Sequence, residues 1–153
     1  MGIRIVDEAP AVREYIQLIE STGWQGMIEK GEQRLAKALE TSWYAVSVND
    51  GDQIVGMGRI ISDGVLQALI CDVIVLPAYQ GHGIGKLMMH RLLATCEDHA
   101  IVMVHLFAAQ DKASYYHQFG FEARSPNAPG MRWTGLIRGG TDGYGKKETD
   151  NDA

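Results

Sequence analysis

Gln80-Gly81-His82-Gly83-Ile84-Gly85-Lys86 stands between an almost unbroken apolar run, Leu66 to Leu76, and a stretch with helical periodicity. Glycine at positions 81, 83 and 85 lets the main chain turn tightly and come close to a ligand. The loop opens onto a helix N-terminus, where unpaired N–H groups and the positive end of the helix dipole hold an anion such as phosphate. Spacing narrows the class. A nucleoside-triphosphate loop needs Gly, four residues, then Gly-Lys-Ser/Thr, but the position five before Gly85 is Gln80 and Leu87 follows Lys86. A dinucleotide G-x-G-x-x-G beginning at Gly81 or Gly83 requires a glycine where Lys86 or Met88 stands. What remains is an anion cradle built from the backbone of Gly81, His82, Gly83, Ile84, Gly85 and Lys86.

Working outward, Leu66 to Leu76 has the pattern of a strand covered on both faces, which predicts the central strand of a sheet, with Asp72 its one charged interruption. The helix from Gly83 to about His99 turns Ile84, Leu87, Met88 and Leu92 to the core, and Ile101 to Ala108 reads as a further buried strand. Upstream, Ile3 to Val6 alternates as a short strand. A helix starts at Glu8-Ala9-Pro10 and runs through Ile19, and a second covers Glu32 to Leu39, leaving Trp24 in a loop. Trp43 to Val48 and Ile54 to Ile61 flank Asn49-Asp50-Gly51-Asp52, a hairpin signal because these residues tolerate positive φ. Downstream, Asp111 to Phe119 forms a short helix capped by Gly120. Phe121 to Arg124 and Met131 to Ile137 form a closing strand pair around Pro126-Asn127-Ala128-Pro129-Gly130. The expectation is one α/β domain over residues 1–138 and a disordered tail over 139–153, where Gly, Asp, Lys and Thr dominate.

Bulk properties exclude several classes. With 153 residues, 46% hydrophobic and 22% charged, the chain can bury a core without disulfides or metal. No apolar run approaches a membrane span, and acids at Asp7 and Glu8 interrupt any secretory leader, which points to the cytoplasm. Cys71 and Cys96 lack C-x-x-C spacing, so no metal site is indicated. The net charge of -5 argues against nucleic acid as a partner and suits a cationic amine.

A second signature, Tyr115-Tyr116-His117-Gln118-Phe119-Gly120-Phe121, follows one helix and one strand after the loop. With Val75-Leu76-Pro77-Ala78-Tyr79 leading into the glycines, the chain resembles the GNAT superfamily of N-acetyltransferases from about Ile3 to Trp133: the loop matches its Q/R-x-x-G-x-G/A and the second motif its F-Y-x-x-x-G-F. Within the superfamily it is most similar to the branch containing plant chloroplast serotonin N-acetyltransferases, through Thr22-Gly23-Trp24, Cys71-Asp72-Val73-Ile74-Val75 and Gly130-Met131-Arg132-Trp133. The resemblance implies a mixed α/β sheet of the acyl-CoA N-acyltransferase fold, with splayed central strands and helices on both faces. It implies acetyl-CoA as cosubstrate, without a metal, and an amine that attacks the thioester directly.

The resemblance also implies residue roles. Gln80 and the loop bind diphosphate, backbone groups of Val73, Ile74 and Val75 pair with the pantetheine arm and polarise the thioester, and Tyr116 protonates the departing thiolate, leaving Tyr115 to face the core. A primary ammonium with a pKa near 10 is neutral in about one molecule per thousand at pH 7, so its proton must be taken up. Asp72 is the leading acceptor, because a carboxylate inside an apolar strand is costly unless bonded or functional; His105 and His117 are reserves. Cys71 beside Asp72 has no adjacent histidine to activate it as a nucleophile. Where relatives carry Asn or Asp seven residues before the tyrosine, this chain has Ala109, so a shifted contact to the cofactor falls to Asp111. Trp24, Phe107, Met131 and Trp133 are the candidate acceptor lining, suited to an arylalkylamine beside polyamines, amino sugars, amino acids and protein lysines. A non-catalytic acyl-CoA sensor and a protein lysine or N-terminal acetyltransferase are the alternatives. The quaternary state stays open, a homodimer included.

Overall fold

The computed structural model describes residues 2–135. The elements in chain order are β1 (Ile3–Val6), α1 (Val12–Glu20), α2 (Gln25–Ile28), α3 (Glu32–Glu40), β2 (Tyr44–Asp50), β3 (Gln53–Ser62), β4 (Gln67–Val75), α4 (Ile84–Asp98), β5 (Met103–Leu106) and α5 (Ala113–His117). The five strands lie in sheet order β1-β2-β3-β4-β5, antiparallel except for the last pair. A parallel pair needs a crossover, which α4 supplies.

Two apolar layers cover the sheet. On one face α4 sets Ile84, Met88, Leu92 and Cys96, one every four residues, with Met89, against Val46, Val48, Val55, Ile60 and Ile70. On the other, Tyr15, Leu18 and Ile19 of α1 and Leu35 and Leu39 of α3 pack on Ile54, Met57 and Ile74. Alternate residues of β3 and β4 thus feed opposite layers. Leu87, expected in the core, is 40% exposed, because the i, i+4 row runs through Ile84 and leaves Leu87 at its flank.

The helix α4 lies close on β3. A Cβ on Gly58 would come 2.9 Å from Leu92 Cδ1. Gly58→Ala is therefore expected to destabilise the fold by about 1–3 kcal/mol through overpacking; an unchanged urea midpoint would refute this contact.

Several expectations are corrected. The central strand is β3, buried almost throughout, whereas β4 lies second from the edge and past Ile70 buries only Ile74 fully. The first helix begins at Val12 and not at Glu8, because Ser47 Oγ donates to the Glu8 carbonyl and holds that segment along β2. Glu14 then accepts the Ala11 N–H at 2.9 Å and closes the helix start. Trp24 lies in a loop as expected, and the one-turn helix α2, which was not expected, begins directly after it. Residues 121–135 form no strand pair: the Arg124 Nε–H donates to the Ala128 carbonyl at 2.7 Å and the Ala128 N–H to Ser125, curling the segment into a local turn. The expected tail 139–153 and the end of the last expected strand lie outside the described residues. Among the described residues no helix is long and apolar enough to cross a membrane.

Candidate active site

The site begins where β4 parts from β5. Their parallel ladder runs from Gln67↔Met103 to Ile70↔Leu106 and stops, while β4 continues to Val75. Beyond Ile70 one edge of β4 therefore has no strand beside it among the described residues. The Leu76 N–H donates to Val55 on the β3 side, so by strand alternation the N–H groups of Val75 and Val73 turn to the bare edge.

Between Met57↔Ile74 and Arg59↔Cys71, β3 has one residue, Gly58, where β4 has two, Asp72 and Val73. This is a β-bulge, and Asp72 within it has φ +53°, a left-handed conformation rarely adopted by residues with a side chain.

After β4, a single 3₁₀ turn at Pro77–Tyr79 delivers the glycine loop. Gln80 Nε2 donates to the Val75 carbonyl at 3.0 Å, and the Tyr79 hydroxyl donates to Asp50 Oδ2 at 2.8 Å, so the loop is anchored at both its entry and the far end of β2. Gly81 and Gly83 have φ of +77° and +82°, and Gly83 caps α4. The first intrahelical bond runs from the Leu87 N–H to the Gly83 carbonyl, leaving the N–H groups of Gly83 to Lys86 for a ligand. At Gly85 a Cβ would lie 2.6 Å from the Tyr115 hydroxyl, so glycine is needed there for room, not for φ.

These parts wall one cavity of about 800 Å³. Its lining takes in Cys71 to Val75 of β4, Gln80, Gly81 and Gly83 to Lys86 of the loop, Ser21, Thr22 and Trp24 before α2, and Leu106 to Ala109, Lys112, Tyr115 and Tyr116 around α5. A second cavity, of about 980 Å³, adjoins it and is lined by His105, His117, Asp63, Glu122 and Arg124 among others; Leu106, Phe107, Ala108 and Tyr116 belong to both. Tyr116 thus stands at the junction.

Most of the expected cofactor residues meet here, with exceptions. His82 is exposed outside the lining, its Nδ1 within 3.0 Å of the Gln80 carbonyl oxygen. Asp111 also lies outside, with φ +61°, and Lys112 takes the wall position instead. Lys86 and Lys112 give an acidic chain a cationic cavity, as a polyphosphate ligand requires. Trp24 and Phe107 line the cavity; Met131 and Trp133, 86% and 63% exposed, line neither one. Tyr115 does not turn away into the core: both tyrosines are half-buried and reach the cofactor cavity, with ring centroids 5.1 Å apart.

Asp72 lines the cavity but is already bonded. Its Oδ2 accepts from Arg59 Nε at 2.6 Å and from the Tyr15 hydroxyl at 2.6 Å, and its side chain is 8% exposed. Oδ2 is thus engaged by two donors from other elements, which gives Asp72 an anchoring contact beside its place on the cavity wall. Burial works against the Arg59 charge, but Asp72, by hydrogen bond and by charge, more than offsets it and holds the guanidinium above its usual range. Burial, then the Asp72 charge, raises the Tyr15 phenol as well. Burial pushes the Cys71 thiol up to about 11, which leaves almost no thiolate for covalent catalysis at neutral pH. Burial also raises the Tyr116 phenol, so it keeps its proton at neutral pH.

Residues 10–132 match the family described as "Acetyltransferase (GNAT) domain". Histone acetyltransferase TAP1 of Glycine max is 32% identical, the alignment covering 76% of this chain and 54% of that one. Serotonin N-acetyltransferase 2, chloroplastic, of Oryza sativa subsp. japonica is 34% identical, covering 67% and 53%. The chain thus spans about half the length of these curated relatives. A solved Staphylococcus aureus protein described as a probable acetyltransferase superposes with a TM-score of 0.76 at 29% identity, covering 86% of this chain and 98% of that one.

Proposed function

This chain belongs to the GNAT acetyltransferase family, and we propose that it moves an acetyl group from acetyl-CoA to a primary amine by direct attack within a ternary complex. The observation that carries the reading is one cavity walled by the glycine loop, the bare edge of β4 and Tyr116. The residues fit the carrier: open space beside Gly81 and Gly83 admits a diphosphate, and the unpartnered edge of β4 offers main-chain groups to an extended amide arm. When bound, acetyl-CoA supplies the acetyl group activated as a thioester.

The chain's residues do the rest. Loop N–H groups with Lys86 and Lys112 hold the phosphates, and the Val73 N–H faces the thioester oxygen, where a donor aimed at developing charge is worth about 3–4 kcal/mol. A C–N bond replaces a C–S bond; the thiolate takes the Tyr116 proton, and the amine's surplus proton leaves by another route. With Asp72 engaged, that route passes through the adjoining cavity, whose lining includes His105 and His117 as well as Tyr116. His105 is half-buried on β5 and is the acceptor we favour. His105→Ala should lower turnover about tenfold, with His117→Ala the weaker variant. Unaltered turnover in both would send the proton to water instead.

Trp24 and Phe107 support an arylalkylamine acceptor, held by stacking or cation-π contact. Ala109, on the cavity wall where the resemblance to the family implies Asn or Asp, favours the second reading, an acyl-CoA sensor without efficient chemistry. A thiol-release screen of acetyl-CoA with aromatic amines, polyamines, amino sugars, amino acids and lysine peptides separates them. Coenzyme binding without thiol release from any acceptor would sink the enzyme reading. A cytoplasmic address belongs to the same proposal, although the rice relative is chloroplastic by name.

A further inference from the structure

Asp72 poses a physical problem. A residue with a Cβ at φ +53° is strained, at a cost of about 1–2 kcal/mol, and such strain persists only where the surroundings over-determine it. Aspartate can relieve it by bonding to its own neighbouring backbone, yet here both bonds to Oδ2 come from afar, Arg59 thirteen positions upstream and Tyr15 fifty-seven. Arg59 is in turn held by the Ser42 hydroxyl at 3.3 Å and the Ala38 carbonyl at 3.4 Å, at the end of α3. One carboxylate oxygen therefore ties β4 to β3, α1 and α3 together.

The tie sits on the bulge. Because the bulge inserts one residue, Ile70, Val73 and Val75 turn to the α4 layer while Asp72 and Ile74 turn to the α1 layer. Without it the strand would stay in regular register, and the Val73 N–H would change direction relative to the cavity.

We propose that Arg59, Asp72 and Tyr15 form a positioning lock that fixes the β4 bulge and thereby aims the Val73 N–H at the carbonyl to be attacked. None of the three needs to touch the reacting atoms. The proposal rests on the acetyl-transfer reading, so its test carries a readout that does not.

The experiment compares Asp72→Gly, Asp72→Asn and Tyr15→Phe in the full chain. Glycine accepts the left-handed backbone without strain but removes the tie, whereas asparagine tolerates that backbone and still accepts both donors. Asp72→Gly is expected to lower kcat about 20-fold by misaligning the donor, leaving the coenzyme A dissociation constant within about twofold, and to speed hydrogen exchange at the Ile74 amide, which by the same alternation faces Met57 of β3 beside the bulge. Asp72→Asn should recover most of that turnover and exchange protection. Tyr15→Phe keeps the ion pair and should show the same changes in smaller measure, which covers the case that Asp72→Gly folds poorly.

If Asp72→Asn is as slow as Asp72→Gly and loses the acidic limb of its pH profile, Asp72 is the proton acceptor and the lock is wrong. Exchange at Ile74 matching the parent in both Asp72→Gly and Tyr15→Phe also overturns it. A parent chain that acetylates nothing would remove the activity, while the exchange comparison would still decide the lock.

Discussion

Tyr116→Phe is expected to lower turnover by about 100-fold, roughly 2.7 kcal/mol of barrier, while acetyl-CoA binds as before. The hydroxyl has no hydrogen-bond partner among the described residues, so removing it unbalances nothing in the fold. The ring stays packed, with Phe121 at a centroid distance of 6.2 Å, and goes on filling the junction of the two cavities. What is lost is a proton donor. Burial, assisted by the neighbouring Tyr115, raises the phenol above its ordinary value of 10.0, so the donor form persists through the pH range in which the amine becomes neutral. Turnover should therefore rise with pH and fall only beyond that raised value, and the phenylalanine variant should lack the alkaline fall. Tyr115→Phe is the contrasting case: its hydroxyl lies over Gly85, so coenzyme affinity should change and kcat should not. An undiminished kcat in Tyr116→Phe would refute the acid role.

The two tyrosines also mark where sequence reasoning stops. The loop from Gln80 to Lys86 was legible because its meaning is local: three glycines, their spacing and the helix that follows. The i, i+4 row of α4 was legible for the same reason, although the periodicity did not separate Leu87 at the flank from Met89 in the core. Asp72 was visible as an anomaly in an apolar run, but its role depends on Arg59 and Tyr15, which only the folded sheet brings to it. Taken alone, the residue type suggests a base; in place, it also ties three other elements to β4. Tyr115 was assigned to the core because a regular helix separates neighbours by about 100°, yet α5 is a five-residue helix at a cavity edge, where both neighbours reach the same wall. The segment after Phe121 has strand-like composition but folds on itself through Arg124 and Ala128, a contact that no alternation of residue types encodes.

Gly83→Val carries the other large effect, and it bears on coenzyme affinity. Nothing lies within 4 Å of a Cβ built at Gly83, so the substitution causes no collision; its cost lies in the backbone. At φ +82° a β-branched residue is a genuine outlier, and the loop relieves the strain by leaving the left-handed region. That movement rotates the N–H groups of Ile84 and Gly85 away from the cavity. Each hydrogen bond from such a group to a charged phosphate oxygen is worth about 1.5–3 kcal/mol, so losing one or two should weaken coenzyme A binding about 100-fold. The fold should lose far less, because Ile84, Met88 and Leu92 keep α4 on the sheet. Gly83→Asn, with a side chain that tolerates the left-handed region, should bind nearly as the parent does. Calorimetry with coenzyme A on all three proteins gives the comparison. If the valine variant binds with the parent's affinity, the diphosphate lies elsewhere, and the acetyl-transfer reading loses the contact on which its other assignments depend.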